Sequence, residues 1–162
     1  MIVLKPSKYR FLYSFLIKTV MLAGMICALF LFVITFYRTS GNAMYPSSRD
    51  GDLGVYCKIG TPILKDIVLY EKDGKDYIGR IVAVGGQTIH FLDKGGYEVD
   101  GCAPAEDIVY KTYGKGKISL KKDEYYILND FRSDKNDSRE MGVIKKNEIK
   151  GKLIYIFRGR DF

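Results

Sequence analysis

An uncharged apolar stretch at residues 19–37 limits the structure of this chain more than any other feature. At a rise of about 1.5 Å per residue, a helix of that length measures roughly 29 Å, which matches the hydrocarbon thickness of a bilayer. A cleaved signal peptide would have an apolar region of only about 7 to 15 residues, followed by small residues at a cleavage site. The length therefore predicts an uncleaved membrane anchor, with a tail at residues 1–18 and one domain at residues 38–162.

The charges in front of this stretch predict its orientation. Lys5, Lys8, Arg10 and Lys18 precede it, and no acidic residue accompanies them. Under the positive-inside rule such a tail stays in the cytoplasm. We therefore expect a single-pass protein of the cell membrane whose C-terminal domain is extracellular. Lys18 is expected at the inner boundary, where its aliphatic stem lets the ammonium reach the headgroups.

The net charge of +7 is divided unevenly along the chain. The tail contributes four positive charges and no negative ones, so residues 38–162 are only mildly basic. Nucleic-acid binding would require a concentrated basic face or a groove-reading motif, and the sequence contains neither. Attraction to an anionic membrane surface, or ordinary solvated surface charge, accounts for the excess. We expect no nucleic-acid partner.

The residues that most often bind metals are too dispersed to predict a metal or cofactor site. Cys57 and Cys102 lack zinc-type spacing, and either a disulfide between them or two free thiols fits an extracellular domain. Cys27 lies in the apolar stretch, where neither can pair with it. His90, the only histidine, alternates with apolar residues and is expected on the surface of a strand. We expect no cofactor.

Beyond the anchor, short runs of β-branched and aromatic residues alternate with Gly, Asp, Asn and Lys, which predicts an antiparallel β domain. Asp73 and Gly74, between runs at residues 67–70 and 77–84, are a strong hairpin signal. The other predicted strands are at residues 88–92, 97–99, 118–120, 125–128 and 153–157. The fold class is therefore mainly β, behind one N-terminal transmembrane helix.

Five segments resemble, in the same order, the sequence boxes of the type I signal peptidases. Residues 41–46 read Gly-Asn-Ala-Met-Tyr-Pro and are similar to the box with the nucleophilic serine. Residues 77–86 read Tyr-Ile-Gly-Arg-Ile-Val-Ala-Val-Gly-Gly and are similar to the box with the general-base lysine. The other three segments are residues 64–70, 96–101 and 129–142. The resemblance implies a signal-peptidase-type antiparallel β domain.

The resemblance implies a serine that attacks the peptide carbonyl and a neutral lysine that removes its proton, and this chain has neither. Ala43 stands at the serine position and Gly79 at the lysine position. A serine hydroxyl is a weak nucleophile without a base, and a lysine acts as that base only where burial lowers its pKa. The resemblance thus implies a pseudoenzyme, not an enzyme. The two small residues also predict a groove that is wider and less polar than that of the enzymes.

The same resemblance assigns roles to other residues. It implies a peptide-binding cleft formed by Asn42, Met44, Tyr45, Pro46 and Arg80. It implies a structural brace behind the site, with a buried or half-buried ion pair, formed by Asp130, Arg132, Asp137, Ser138, Arg139 and Gly142. Exposed sheet edges at such a cleft would bind an extended polypeptide by β-augmentation.

Within the family, the chain most resembles the signal-peptidase-like accessory proteins of pilus assembly in Gram-positive streptococci. This implies a chaperone-like membrane protein for an exported client, such as a backbone pilin that a sortase polymerises. Two alternatives are a peptidase with an unconventional site and a regulatory subunit of an active signal peptidase, of which a homodimer through the vacated cleft is a variant. An unconventional site needs another nucleophile, and Ser40, Ser47 and Ser48 are displaced from position 43 by about 10 Å along the chain.

Overall fold

The computed structural model describes residues 8–104 and 111–159. The chain forms two units that divide after Ile34. The first unit contains one helix, α1 (Lys8–Phe32), whose segment Tyr9–Phe32 is long and apolar enough to cross a membrane. None of this segment is buried within the described protein, so its apolar side chains require a non-aqueous environment from elsewhere.

Both ends of this helix differ from the predicted anchor at residues 19–37. The helix begins at Lys8 and ends at Phe32, and Ile34–Arg38 form the first strand, β1. Residues 33–37 carry no charge, so the uncharged stretch continues past the end of the helix and did not mark the boundary between the two elements. Residues 19–32 alone would span only about 21 Å. The apolar segment Tyr9–Phe32 contains Lys18, and the position of Lys18 at the inner boundary of the anchor stays a prediction.

The second unit is built from two antiparallel sheets, which confirms the predicted fold class. A seven-stranded sheet has the order β1-β2-β10-β3-β4-β8-β9, and a three-stranded sheet has the order β6-β5-β7. The strands after β1 are β2 (Leu53–Cys57), β3 (Ile67–Lys72), β4 (Lys75–Val84), β5 (Thr88–Phe91), β6 (Tyr97–Val99), β7 (Lys117–Ser119), β8 (Glu124–Leu128), β9 (Ile144–Lys145) and β10 (Ile149–Phe157). A one-turn helix, α2 (Ser138–Met141), precedes β9, and a 3-10 turn (Lys146–Glu148) follows it.

The two predicted hairpins are present. Strands β3 and β4 pair from Lys72 opposite Lys75 outward, and Asp73 and Gly74 both have positive φ, as the tight turn requires. Strands β5 and β6 pair across the second turn. Strands β1, β2 and β9 were not predicted, because they are short and have no clear alternation or flanking turn signal.

The side chains of strand β4 point alternately to the two faces of the large sheet, and this alternation positions the residues of the site. Ile78 belongs to a core cluster on one face of the sheet, with Met44, Tyr56 and Leu69. Ile81 belongs to a cluster on the other face that includes Val68, Tyr70, Tyr125, Ile127 and Ile144. Because successive residues of a strand point to opposite faces, position 79 faces the second cluster and Arg80 faces the side of Ile78.

An ion pair between Lys72 and Glu148 connects β3 to the 3-10 turn. Lys72 Nζ lies 2.8 Å from Glu148 Oε1, and both side chains are partly exposed. Burial raises the pKa of the Glu148 carboxyl, but hydrogen bonds from the Lys145 backbone N–H and the Lys72 ammonium lower it by more, so the net shift is downward from 4.5. The ionised form of Glu148 is therefore stabilised by folding.

We predict that Glu148→Gln lowers the free energy of unfolding by about 0.5–1 kcal/mol near neutral pH and that this difference disappears in acid. The folded-state pKa lies below that of the unfolded chain, so the contribution is complete above the unfolded value. It is lost as the pH falls through the folded value. Urea unfolding of the detergent-solubilised protein over a series of pH values measures the difference. A difference that does not change with pH would contradict the prediction.

Candidate functional site

The segment that carries Ala43 is a closed loop between β1 and β2. The Asp50 carboxylate accepts the N–H of Gly41 at 2.7 Å, and the Asp50 N–H donates to Asn42 Oδ1 at 3.2 Å. Ala43 is half-buried, and its carbonyl accepts the N–H of Phe131 at 2.9 Å. Hydrogen bonds to the preceding residues and to the Ala43 carbonyl thus fix the backbone at position 43, and the side chain there is only a methyl group.

The next three residues divide between the core and the surface. Met44, which the sequence assigned to the cleft, is fully buried and packs in the core cluster with Tyr56 and Leu69. Tyr45 and Pro46 are exposed and are joined by a cis peptide bond. Of the side chains assigned to the cleft from this loop, Tyr45, Pro46 and the exposed Asn42 remain accessible.

The space beside Gly79 is filled. A Cβ atom built at this position would lie 2.5 Å from Ile127 Cγ2 and 3.5 Å from both Tyr70 Cε1 and the Leu128 carbonyl oxygen. Real side chains do not approach as closely as 2.5 Å, so any side chain at position 79 would displace Ile127. The expected wider groove is therefore absent at position 79, because Ile127 and Tyr70 occupy the volume that a lysine would need.

Tyr70 does not replace the missing base. Its side chain is fully buried, and burial raises the pKa of its hydroxyl far above the ordinary value, with the Asp137 carboxylate raising it further. Among the described residues, no group lies within hydrogen-bond distance of Tyr70 Oη. Its ring stacks on Tyr77 with a centroid distance of 5.8 Å. A phenol with a raised pKa stays protonated at neutral pH and cannot accept a proton from a nucleophile.

Arg80 is held by a network that closes the opposite side of β4. Its Nε and Nη2 donate to the two carboxylate oxygens of Asp130 at 2.8 and 2.7 Å, and Nη2 also donates to Ser47 Oγ at 2.9 Å. Nη1 donates to the Lys65 carbonyl at 3.0 Å. A bidentate pair of this kind fixes the arginine side chain strongly. Arg80 therefore has mainly a structural role, since its guanidinium bonds to protein groups and its side chain is only a quarter exposed.

Two of the serines near Ala43, Ser47 and Ser48, form hydrogen bonds with other side chains. Ser47 Oγ donates to Asp130 Oδ2 at 2.5 Å, and Ser48 Oγ is buried and lies 2.8 Å from Thr39 Oγ1. Asp130 also accepts two hydrogen bonds from Arg80. Sequence reasoning missed Ser47 as a member of this network, because no sequence signal connects position 47 to positions 80 and 130.

The brace behind the site centres on a buried ion pair between Asp137 and Arg139. The Asp137 side chain has no exposed surface, and its carboxylate accepts the N–H of Asn129 at 2.9 Å, the N–H of Arg139 at 3.0 Å, and Nε and Nη2 of Arg139 at 2.8 and 2.6 Å. Ser138 Oγ accepts the N–H of Ile127 at 3.0 Å. These contacts attach the loop to the end of β8.

The remaining brace residues complete the loop, with one exception. Arg132 Nη1 donates to the Asn129 carbonyl at 2.6 Å, and Arg139 Nη1 donates to the Arg132 carbonyl at 2.7 Å. Gly142 ends α2 with a φ of 76°, which favours glycine. Asp130 was also assigned to the brace, but its carboxylate bonds to Arg80 and Ser47 and so belongs to the site network.

The residues considered for metal binding or a disulfide are dispersed in the structure. His90 is exposed on β5 between two buried residues, as the alternation predicted. Cys57 ends β2 in the large sheet and Cys102 bridges to Val99 beside β6, and neither forms a disulfide. Within residues 8–104 and 111–159, no group of three or more His, Cys, Asp or Glu side chains is arranged to hold a metal ion.

Comparison with known proteins gives one family and relatives of two kinds. The family model described as signal peptidase, peptidase S26, matches residues 12–158. "Inactive signal peptidase IA" of Staphylococcus aureus (strain MRSA252) is 28% identical over 136 residues, which cover 75% of this chain and 78% of that protein. "Signal peptidase I T" of Bacillus subtilis (strain 168) is 27% identical over 145 residues, which cover 78% of this chain and 75% of that protein.

Among solved structures, a signal peptidase I from Enterococcus faecalis V583 is 20% identical, with a TM-score of 0.49, over 59% of this chain and 99% of that chain. The identities to relatives named inactive and to relatives named as peptidases are nearly equal. Overall similarity therefore does not separate the two kinds.

We predict that the buried ion pair is required for stability while an exposed pair is not. Arg139→Gln leaves the Asp137 carboxylate buried without its partner and should lower the free energy of unfolding by about 3–5 kcal/mol. The control is Lys146→Gln, which removes an exposed pair with Asp123 at 3.7 Å and should cost about 0.5 kcal/mol or less. Urea unfolding measures both values. Equal losses for the two variants would show that the brace does not support the fold.

We also predict that position 79 and Ile127 are coupled. Gly79→Ala should destabilise the protein by about 1–3 kcal/mol because the new Cβ displaces Ile127. In an Ile127→Ala background, which lacks Cγ2, the same change should cost little, giving a coupling energy in a double-mutant cycle. Gly159→Ala, where no atom lies within 4 Å of the added Cβ, is the control. Additive effects of the two substitutions would mean that Ile127 does not fill this position.

Proposed function

The chain belongs to the signal peptidase family, peptidase S26, and we propose that it is a non-catalytic member that holds an exported polypeptide at the outer face of the cell membrane. The observation that supports this most directly is the pair of positions 43 and 79. The first offers a methyl group, and the second has no side chain and no room for one without movement of Ile127.

The chemistry of the reaction argues against residual peptidase activity. Loss of the nucleophile of a serine protease typically costs on the order of 10⁶ in rate, and the remaining 10³–10⁴ over water comes from binding and oxyanion stabilisation. A replacement base would need a titratable group beside a free hydroxyl. The Ser48 hydroxyl bonds to Thr39, which is not a base. The Asp130 carboxylate bonded to the Ser47 hydroxyl also accepts two hydrogen bonds from Arg80. A rate reduced to that extent would not process a stream of exported precursors.

The apolar helix and the charges before it support the proposed location. α1 is long and apolar enough for one membrane crossing, and the basic tail favours a cytoplasmic N-terminus. The β domain would then be extracellular and tethered within a few residues of the membrane. A holding protein gains from this arrangement, because tethering raises the effective concentration of the domain at the point where exported chains emerge.

For the client, we favour the backbone pilin of a pilus that a sortase polymerises. The support is the sequence resemblance to signal-peptidase-like accessory proteins of pilus assembly, together with the absence of both dyad side chains. The S26 relatives named inactive are consistent with a family in which members have lost catalysis. A sortase and the membrane are the expected partners besides the client.

The second candidate is a peptidase with an unconventional site. The observation that favours it is the 2.5 Å hydrogen bond from Ser47 Oγ to the Asp130 carboxylate, which could act as nucleophile and base. Its weakness is Arg80, whose guanidinium donates to both partners. Ser47→Ala therefore distinguishes the two candidates, since it removes the one hydroxyl that bonds to this carboxylate in the described part of the chain.

The test incubates the full-length protein, in detergent micelles, with a signal-peptide-bearing pilin precursor. We expect co-purification of the intact precursor, no cleavage, and no labelling by a serine-directed fluorophosphonate probe. The Ser47→Ala variant should behave like the wild type in all three measurements. Cleavage or labelling that Ser47→Ala abolishes would establish the unconventional peptidase, and failure to retain the precursor would refute the holding function.

A further inference from the structure

We propose that the C-terminal half of β10, residues 153–157, is a docking edge that binds an extended segment of the exported polypeptide by strand addition. This inference rests on the proposed holding function and names the surface that performs it. The vacated catalytic position is a poor candidate for this surface, because Ile127, Tyr70 and the Arg80 network fill both sides of β4.

The backbone of this half of β10 is paired on one side only. Strand β10 pairs with β3 at Ile149, Gly151 and Lys152, and with β2 from Lys152 to Phe157. The last pair with β3 joins Lys152 to Val68. Beyond it, the backbone groups of residues 153–157 on the side away from β2 have no hydrogen-bond partner among the described residues.

The side chains along this edge are apolar and unprotected. Ile154, Tyr155 and Phe157 are each more than half exposed. Tyr155 and Phe157 lie on the same face and form an edge-to-face pair with a centroid distance of 4.9 Å. A surface of this kind offers an aromatic platform to a side chain of an incoming strand, in addition to backbone hydrogen bonds.

Strand β9, an edge strand of the same sheet, has features that prevent strand pairing. Strand β9 has only two residues, and Lys145 and Lys146 lie at its end. Short edge strands and lysines are the devices by which proteins prevent unwanted strand pairing. Residues 153–157 contain no charged residue. The contrast within one sheet indicates that this edge is left open for a partner.

The unpaired backbone groups identify the partner as a polypeptide strand. Lipid would cover the exposed apolar side chains, but it cannot satisfy backbone N–H and C=O groups, and each such group left unsatisfied in hydrocarbon costs several kcal/mol. A second copy of this chain is disfavoured by size. Stable dimer interfaces contain about 20–30 residues on each side, and this edge has five. A short, weakly held extended segment fits it best.

The direct test measures binding of a fluorescent peptide of seven alternating threonine and valine residues to the full-length protein in detergent micelles. Two N-methylated versions of the peptide block either alternate set of its amides. We expect the unmodified peptide to bind, and one N-methylated version to bind at least tenfold more weakly while the other binds nearly normally. Equal binding of all three peptides, or no binding of any, would overturn strand addition.

The site is located by a matched pair of variants. Tyr155→Lys combined with Phe157→Lys should weaken peptide binding at least tenfold, while Tyr113→Lys, at an equally exposed aromatic residue outside both sheets, should leave it unchanged. Circular dichroism shows whether each variant is folded. A double variant that is folded and binds normally would overturn the assignment to β10. A concentration-dependent dimer of the wild type that the double variant lacks would overturn the choice of partner.

The pilin precursor separates this inference from the holding function. If the wild type retains the precursor and the double variant does not, both are supported. If the double variant retains the precursor as well as the wild type does, the holding function stands and the docking edge is wrong. If the wild type fails to retain the precursor but binds the model peptide at β10, the edge stands and the holding function is wrong.

Discussion

The rest of the β domain depends on the buried ion pair between the Asp137 carboxylate and the Arg139 guanidinium. The carboxylate has no exposed surface, so its charge is tolerable only because four N–H groups surround it. Those donors come from the end of β8 and from α2, so the ion pair with Arg139 closes the loop between them. Asp130 and Phe131 lie on that closed loop, and they in turn hold Arg80 and the backbone of Ala43. The same contacts that stabilise the fold therefore also position the residues of the candidate site.

This dependence explains how a chain can lose catalytic atoms and keep the surrounding residues. Removing a hydroxyl at position 43 or a lysine at position 79 removes no contact on which the loop depends, whereas removing Arg139 would leave a buried charge without its partner. Ile127 and Tyr70 pack beside the backbone of position 79, as expected of a close-packed interior. This packing opposes any side chain at that position.

The sequence predicted those features that depend on local chemistry or on order along the chain. The Asp73-Gly74 hairpin, the exposed His90 and the β class follow from turn residues and alternation, and the structure contains them. It did not predict that Met44 is a core residue, that Ser47 joins Arg80 and Asp130, or that Ile127 fills position 79. Each of these depends on contacts between segments far apart in sequence. The boundary at Phe32 was missed because the uncharged stretch continues without interruption through residues 33–37.

The comparison with relatives has the same physical basis. Identity is 26–28% both to proteins named inactive signal peptidase and to proteins named signal peptidase, so overall identity does not separate the two kinds. Catalysis depends on two side chains that contribute little to that identity. A holding protein and a peptidase can therefore share family, fold and frame. Two properties separate them. The first is the position of the unpaired backbone groups that bind a polypeptide strand, and the second is whether a nucleophile lies within about 3 Å of the bound peptide carbonyl. In this chain the first condition is met at β10, and the second is not met at Ala43, which has no hydroxyl.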